Sequence, residues 1–152
     1  MLIFLDTSIL GYITHPHGSE ESNACMAWLR DCLERGATVC LPEVCDYELR
    51  RDYFLRVAVK ATQKLDQWKA VLEYVPISTE TMLRAARLWA ESRRRGKPTA
   101  AAEALDGDVI LAAQLQLEAE RSNVSNSVIA TTNIGHLEQF AIAKAWNEIT
   151  VE

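Results

Sequence analysis

Short apolar runs alternate along the chain with longer stretches that are apolar on one side only. Leu2–Leu5 (LIFL) is apolar at every position, which predicts a strand buried on both faces. Ser19 or Ser22 is placed to cap a helix that runs to about Arg35 and is stopped by Gly36. Within it Cys25, Trp28, Leu29 and Cys32 recur at i, i+3, i+4 and i+7, the buried stripe of a helix. Thr38–Leu41 (TVCL) predicts a second short strand, and Pro42 is well placed to start a helix that reaches at least Lys60 and, after a break, Leu72. Tyr74–Ile77 predicts a third strand. Thr79 is the expected cap of a helix carrying Met82, Ala85, Ala86 and Trp89 at helical spacing. Arg93-Arg94-Arg95-Gly96-Lys97-Pro98 reads as a basic stop before an alanine-rich loop. Asp106 is then expected to open a helix to about Arg121, followed by a fourth strand at Ser127–Thr131 (SVIAT) and a fifth at Ala143–Ile149.

Strand–helix alternation of this kind predicts an α/β fold with a parallel sheet covered by helices on both faces. In such sheets sites gather at the carboxyl ends of the strands, near the switch in strand order. That rule points to Asp6, to the loop before Glu43, and to Thr131–Asn133. With 152 residues, 49% of them hydrophobic, the chain suits one domain with one core. The net charge of −5 argues against a protein that coats nucleic acid or an anionic membrane indiscriminately, and leaves room for a local basic groove. MLIFLDTS lacks the positive start of a signal peptide, and no stretch approaches the roughly eighteen apolar residues of a membrane span. Cys25, Cys32, Cys40 and Cys45 form no CxxC pair, so reduced core thiols in a cytoplasmic protein are expected rather than a zinc site.

The chemistry of interest is carboxylate chemistry. Asp6 stands directly after an apolar strand, where it either caps the next helix or serves a site. Ser8 stands where an aspartate phosphotransferase of the haloacid dehalogenase type would need a second Asp. Glu48 lies within the helical stripe of Val44, Tyr47, Phe54, Leu55, Ala58 and Val59. A carboxylate facing a core needs a partner: Arg51 three residues on, a metal ion, or the role of general base. Glu43 is at home near a helix start. Asp106 reads as a cap, whereas Asp108 shares a face with Leu111, Ala112 and Leu115 and so points at packed surface. Acids arriving from distant parts of the chain suit a hard cation such as Mg²⁺ or Mn²⁺, with Asn133 adding an uncharged oxygen. No GxSxG elbow, P-loop or GxGxxG motif is present. His15 and His17 read as solvated loop residues, and His136 either positions substrate or caps and packs.

These motifs resemble, in order and along the whole chain, those of PIN domains, the nuclease fold of VapC-type toxins in toxin–antitoxin pairs. MLIFLDTSIL is similar to the family's opening motif, YELRR around Glu48 to its second acidic motif, LDGDVILAAQ to its third, and ATTNIGHL to its fourth. The resemblance implies a three-layer α/β/α PIN-like fold with a parallel sheet in strand order 3-2-1-4-5. It implies catalytic acids Asp6, Glu48 and Asp108, which would hold Mg²⁺ or Mn²⁺ together with Asp106 as an accessory acid and Asn133, where many members carry Asp. Thr7 and Thr131 would be accessory residues that orient the acids. The implied reaction is hydrolysis of RNA phosphodiesters to 5′-phosphate ends by a cytoplasmic enzyme. The implied partners are the RNA substrate, a cognate antitoxin protein and a second copy, the homodimer forming through helices bearing Trp68 or Trp89. For RNA contact the sequence offers Arg93, Arg94, Arg95 and Lys97 beside the approach to Asp108. Arg56, Lys60 and Lys64, at i+4 steps, read instead as a solvated face. Asn133 keeps a rival open: a PIN-like module that binds RNA or protein without cutting.

Overall fold

The computed structural model describes residues 1–96 and 102–152, with side chains described outside 97–105. Five strands, β1 (Leu2–Leu5), β2 (Thr38–Pro42), β3 (Glu73–Val75), β4 (Ser127–Thr131) and β5 (Ala143–Ala145), form one sheet in the order β3-β2-β1-β4-β5. All pairs are parallel, with Leu2 opposite both Thr38 and Ser127. Parallel pairing requires long crossovers, and helices supply them. They are α1 (Thr7–Ile13) and α2 (Glu20–Glu34), α3 (Glu43–Leu55) and α4 (Val59–Val71), α5 (Thr79–Arg94) and α6 (Ala102–Arg121), and α7 (Ile134–Leu137). β1 is central and buried at all four positions, as its unbroken apolar run requires. Because β2 lies on one side of β1 and β4 on the other, the carboxyl end of β1 opens at the switch in strand order.

Most of the core joins β1, β2 and β4 to α1, α2 and α3, and all four cysteines lie in it, buried and unpaired. A smaller cluster of Ala85, Val109, Ala112, Ala113 and Phe140 seals α5 and α6 to the segment before β5. Trp68 is half-buried and donates to the Ile13 carbonyl, so it belongs to the chain's own packing. No helix among the described residues is long and apolar enough to cross a membrane.

Several boundaries differ from the sequence expectation, each for a local reason. α3 stops at Leu55, short of Lys60: Val57 N–H bonds the Phe54 carbonyl and Ala58 N–H bonds that of Tyr53. This is the helix ending that normally needs glycine, here made with Val57 at φ +54°, so the stop signal is disguised. The buried face of α3 is Val44, Cys45, Leu49 and Tyr53, while Tyr47 (60%) and Leu55 (82%) are exposed and Val59 lies beyond the break. Glu48, half-buried at i+4 from Val44 and i+3 from Cys45, nonetheless lies on the inward face, although most of the stripe traced around it does not. Ser78, not Thr79, caps α5, exchanging hydrogen bonds with Thr81. α6 begins at Ala102, because alanines propagate a helix readily, and Asp106 lies within it instead of opening it. The loop expected before it falls partly outside the described residues, as do Lys97 and Pro98. β3 ends at Val75, where the Ile77 N–H turns to the Glu43 carboxylate. β5 ends at Ala145, where a 3₁₀ turn at Trp146–Glu148 takes over.

Candidate active site

The end of β1 is where the backbone changes from strand to helix, and Asp6 makes the change. Its N–H still follows the sheet, bonding the Ala130 carbonyl at 3.0 Å, while its carbonyl already accepts from Ile9 and Leu10. Its Oδ1 accepts the Thr7 N–H at 2.7 Å, the usual role of an N-cap. Its Oδ2 accepts two further hydroxyls, Ser8 at 3.0 Å and Thr131 at 2.7 Å. Three donors hold the carboxylate in one orientation. Thr131, fully buried at the end of β4, also receives the Asn133 N–H at 3.0 Å, and Ser8 receives the Thr132 N–H at 3.2 Å. The β4 end and the α1 start are thereby tied together through Asp6.

Glu48 reaches this point from α3. Its Oε2 accepts the Thr7 hydroxyl at 2.8 Å. Of the three partners open to Glu48, the pair with Arg51 is not made: Arg51 lies over the Tyr47 ring at 5.1 Å. Asp108 arrives from α6, half-buried and without a hydrogen-bond donor among the described residues. Burial, then the Asp6 carboxylate and to a lesser degree that of Glu48, push its carboxyl up to about 6, against the opposing effect of His136. His136, on α7, has its Nδ1 buried with no hydrogen-bond partner. Beneath the acids lies Cys45, whose thiol is raised well above its ordinary value by burial and then by Asp6.

The structure thus brings Asp6, Thr7, Glu48, Asp108 and Thr131 together. Asn133 stands exposed at the start of α7 with no hydrogen bond from its side chain to cap the helix. Asp106 is not among them. It is ~200° around α6 from Asp108 and lines a groove of about 380 Å³ with Met82, Ala85, Ala86, Trp89, Val109 and Ile110. Arg94 and Arg95 are exposed at the end of α5, and Arg93 lies over the Trp89 ring at 5.2 Å. This end of α5 is joined to α7, since Ser92 donates to Gln139 at 3.0 Å and Gln139 donates to the His136 carbonyl at 3.2 Å. Arg56 is paired with Asp52, and Lys64 donates to the His15 carbonyl.

Two participants escaped the sequence reading. Ser8, which in the sequence only excludes a second Asp, supplies a hydroxyl that is one of the three donors to Asp6. Gly107 sits where a Cβ would collide with Glu48; a glycine inside an otherwise helical pattern was the available signal.

Among the described residues, no three His, Cys, Asp or Glu side chains stand as a finished ligand cage. The donor set nevertheless fits a hard divalent ion. It is all oxygen, burial and then the neighbouring carboxylates raise its member Asp108, and no described Lys or Arg forms an ion pair with any of the three acids. Mg²⁺ keeps several waters and needs only one or two carboxylates, so a complete cage is not required.

A parallel sheet in this order with acids at the carboxyl ends of its strands makes the fold PIN-like. A chain of VapBC2 from Rickettsia felis, in a crystal structure bound to a DNA fragment from their promoter, is similar over 96% of this chain and 99% of its own, with TM-score 0.69 and 19% identity. A chain of VapBC-1 from nontypeable Haemophilus influenzae is similar over 97% of this chain and 100% of its own, with TM-score 0.66 and 13% identity. The likeness is one of fold. No family model matches the chain, and no curated protein sequence matches it at a significant level.

Proposed function

We propose that the chain is a Mg²⁺- or Mn²⁺-dependent endoribonuclease of the VapC type, the toxin half of a toxin–antitoxin pair, acting in the cytoplasm. The observation that carries this reading is the Asp6 carboxylate, locked by Thr7, Ser8 and Thr131 and joined by Glu48 and Asp108 with no ion pair to a Lys or Arg among the described residues. Asp6, Glu48 and Asp108 would hold the metal, with the Asn133 oxygen near enough along the chain to contribute. When bound, the ion supplies an activated water and stabilises the charge of the phosphate undergoing attack. The chain's own part is positional: Thr131 and Ser8 fix Asp6, and Thr7 fixes Glu48. Asp106 faces away from this cluster, which supports a role outside it. Arg94, Arg95 and Lys97 would draw the RNA backbone toward the acids, with Arg93 beside them.

Both similar structures are VapBC assemblies, which supports an antitoxin partner here. Met82, Ala86 and Trp89 form an exposed apolar strip on α5 at i, i+4 and i+7 that supports a homodimer through this helix. Trp68, engaged with Ile13, does not favour α4. A second reading, a module that binds without cutting, is favoured by the uncharged Asn133 and the open ligand set.

The deciding experiment is incubation of a structured RNA pool with purified protein in Mn²⁺, Mg²⁺ or EDTA, beside Asp6→Asn. Metal-dependent 5′-phosphate products that the variant does not make are expected. No cleavage in any metal, together with no rise in Tm on adding Mn²⁺, would overturn the nuclease and leave the binding module.

A further inference from the structure

α6 carries Gly107 immediately before Asp108, although glycine is among the poorest helix formers. The backbone there is ordinary helix, so conformational freedom is not what the glycine supplies. It supplies empty space. A Cβ built at this position would overlap Glu48 Oε1 and stand 3.4 Å from Glu48 Cδ. The other oxygen of the same carboxylate accepts the Thr7 hydroxyl at 2.8 Å. Glu48 is therefore wedged between α1 and α6, touching the residue that follows Asp6 and the residue that precedes Asp108. One side chain spaces the other two acids.

We propose that Gly107 is a positioning residue: its missing side chain is the seat that lets the Glu48 carboxylate stand between Asp6 and Asp108. The inference rests on the nuclease reading for its consequence in catalysis, but not for the contact itself. The obstructed atom is the end of a flexible side chain, so an added methyl displaces Glu48 and leaves the helix standing. The damage falls on the site and not on the fold. The seat also matches side-chain length: with a methyl at 107, an acid one methylene shorter at 48 clears the helix.

Two measurements test this. In EDTA, Gly107→Ala is made in the wild-type and in the Glu48→Ala backgrounds and both are melted. Alanine improves the helix in each, but in the wild type it also breaks the Thr7–Glu48 bond. The rise in Tm is therefore expected to be clearly smaller in the wild type than with Glu48→Ala; equal shifts would overturn the seat. In Mn²⁺, Gly107→Ala is expected to lower kcat on the RNA pool at least tenfold with KM unchanged, and adding Glu48→Asp to recover part of the loss. Unimpaired cleavage by Gly107→Ala would overturn the positioning role. If the wild-type protein cuts no RNA, the nuclease reading fails by itself, and the melting comparison still decides the seat.

Discussion

Asp108 shows at the scale of one residue what assembling this site costs. Its carboxyl is half-buried, faces Asp6 and Glu48, and titrates near 6 instead of 3.8. A folded-state value above the unfolded one means that the unfolded chain holds the charge more easily. Folding stability therefore falls as pH rises from about 4 to 6 and stays lower above that window. Asp108→Asn is expected to raise Tm in EDTA at pH 8, and the gain should vanish by pH 4. Melts across that range check it; a lower Tm at pH 8 would mean that the charge is already compensated. The same substitution should abolish cleavage, the separation of stability from activity expected where a site stores unfavourable charge. Asp6 contrasts with Asp108. The sequence left Asp6 between a cap and a site residue, and the structure makes it both: it caps α1 through Oδ1, while Thr131 reaches its Oδ2 from the far end of the chain.

At the scale of elements, the α3–α4 junction carries a strained residue. Val57 holds φ +54° as the residue after the end of α3, a conformation unfavourable for a β-branched side chain, and it is exposed there. Val57→Gly is expected to stabilise by about 1 kcal/mol, which at this chain size is a rise in Tm of roughly 2–4 °C. A fall in Tm would mean that the valine packs against something in solution. The elements themselves were mostly readable. β1 and β4 fall where their apolar runs lie, and α2 begins after its serine cap and ends at Glu34, just before Gly36. The junction was not readable, since valine carries none of the local preference by which glycine marks a helix end. For the same reason the stripe traced through Phe54, Leu55 and Val59 ran across a break, and of its members beyond Val44 none is buried on α3, while Glu48 does lie on the inward face.

For the whole molecule, the balance between an acidic protein and an anionic substrate sets the prediction. A chain of net charge −5 has no general attraction for RNA, so binding must depend on a few well-placed cations. Arg94→Ala with Arg95→Ala is expected to weaken RNA binding several-fold at low salt and to flatten its salt dependence by up to two phosphate contacts. Titrations between 50 and 200 mM salt would show this; an unchanged slope would place the RNA elsewhere. By itself the sequence determined the parallel α/β architecture and the place of Asp6 at the end of the first strand, and it singled out Glu48 and Asp108 as acids on packed helix faces; the strand order came from the resemblance to PIN domains. What the residues alone gave follows from short-range preferences: apolar runs, caps and helical spacing. Only the tertiary structure decided that Ser8 and Thr131 share one oxygen of Asp6, that Asp106 faces the α5 groove, and that Glu48 rests in the space left by Gly107. Each of these depends on how the sheet's parallel register and the rotation of a packed helix aim side chains distant in sequence, and no local pattern encodes that direction.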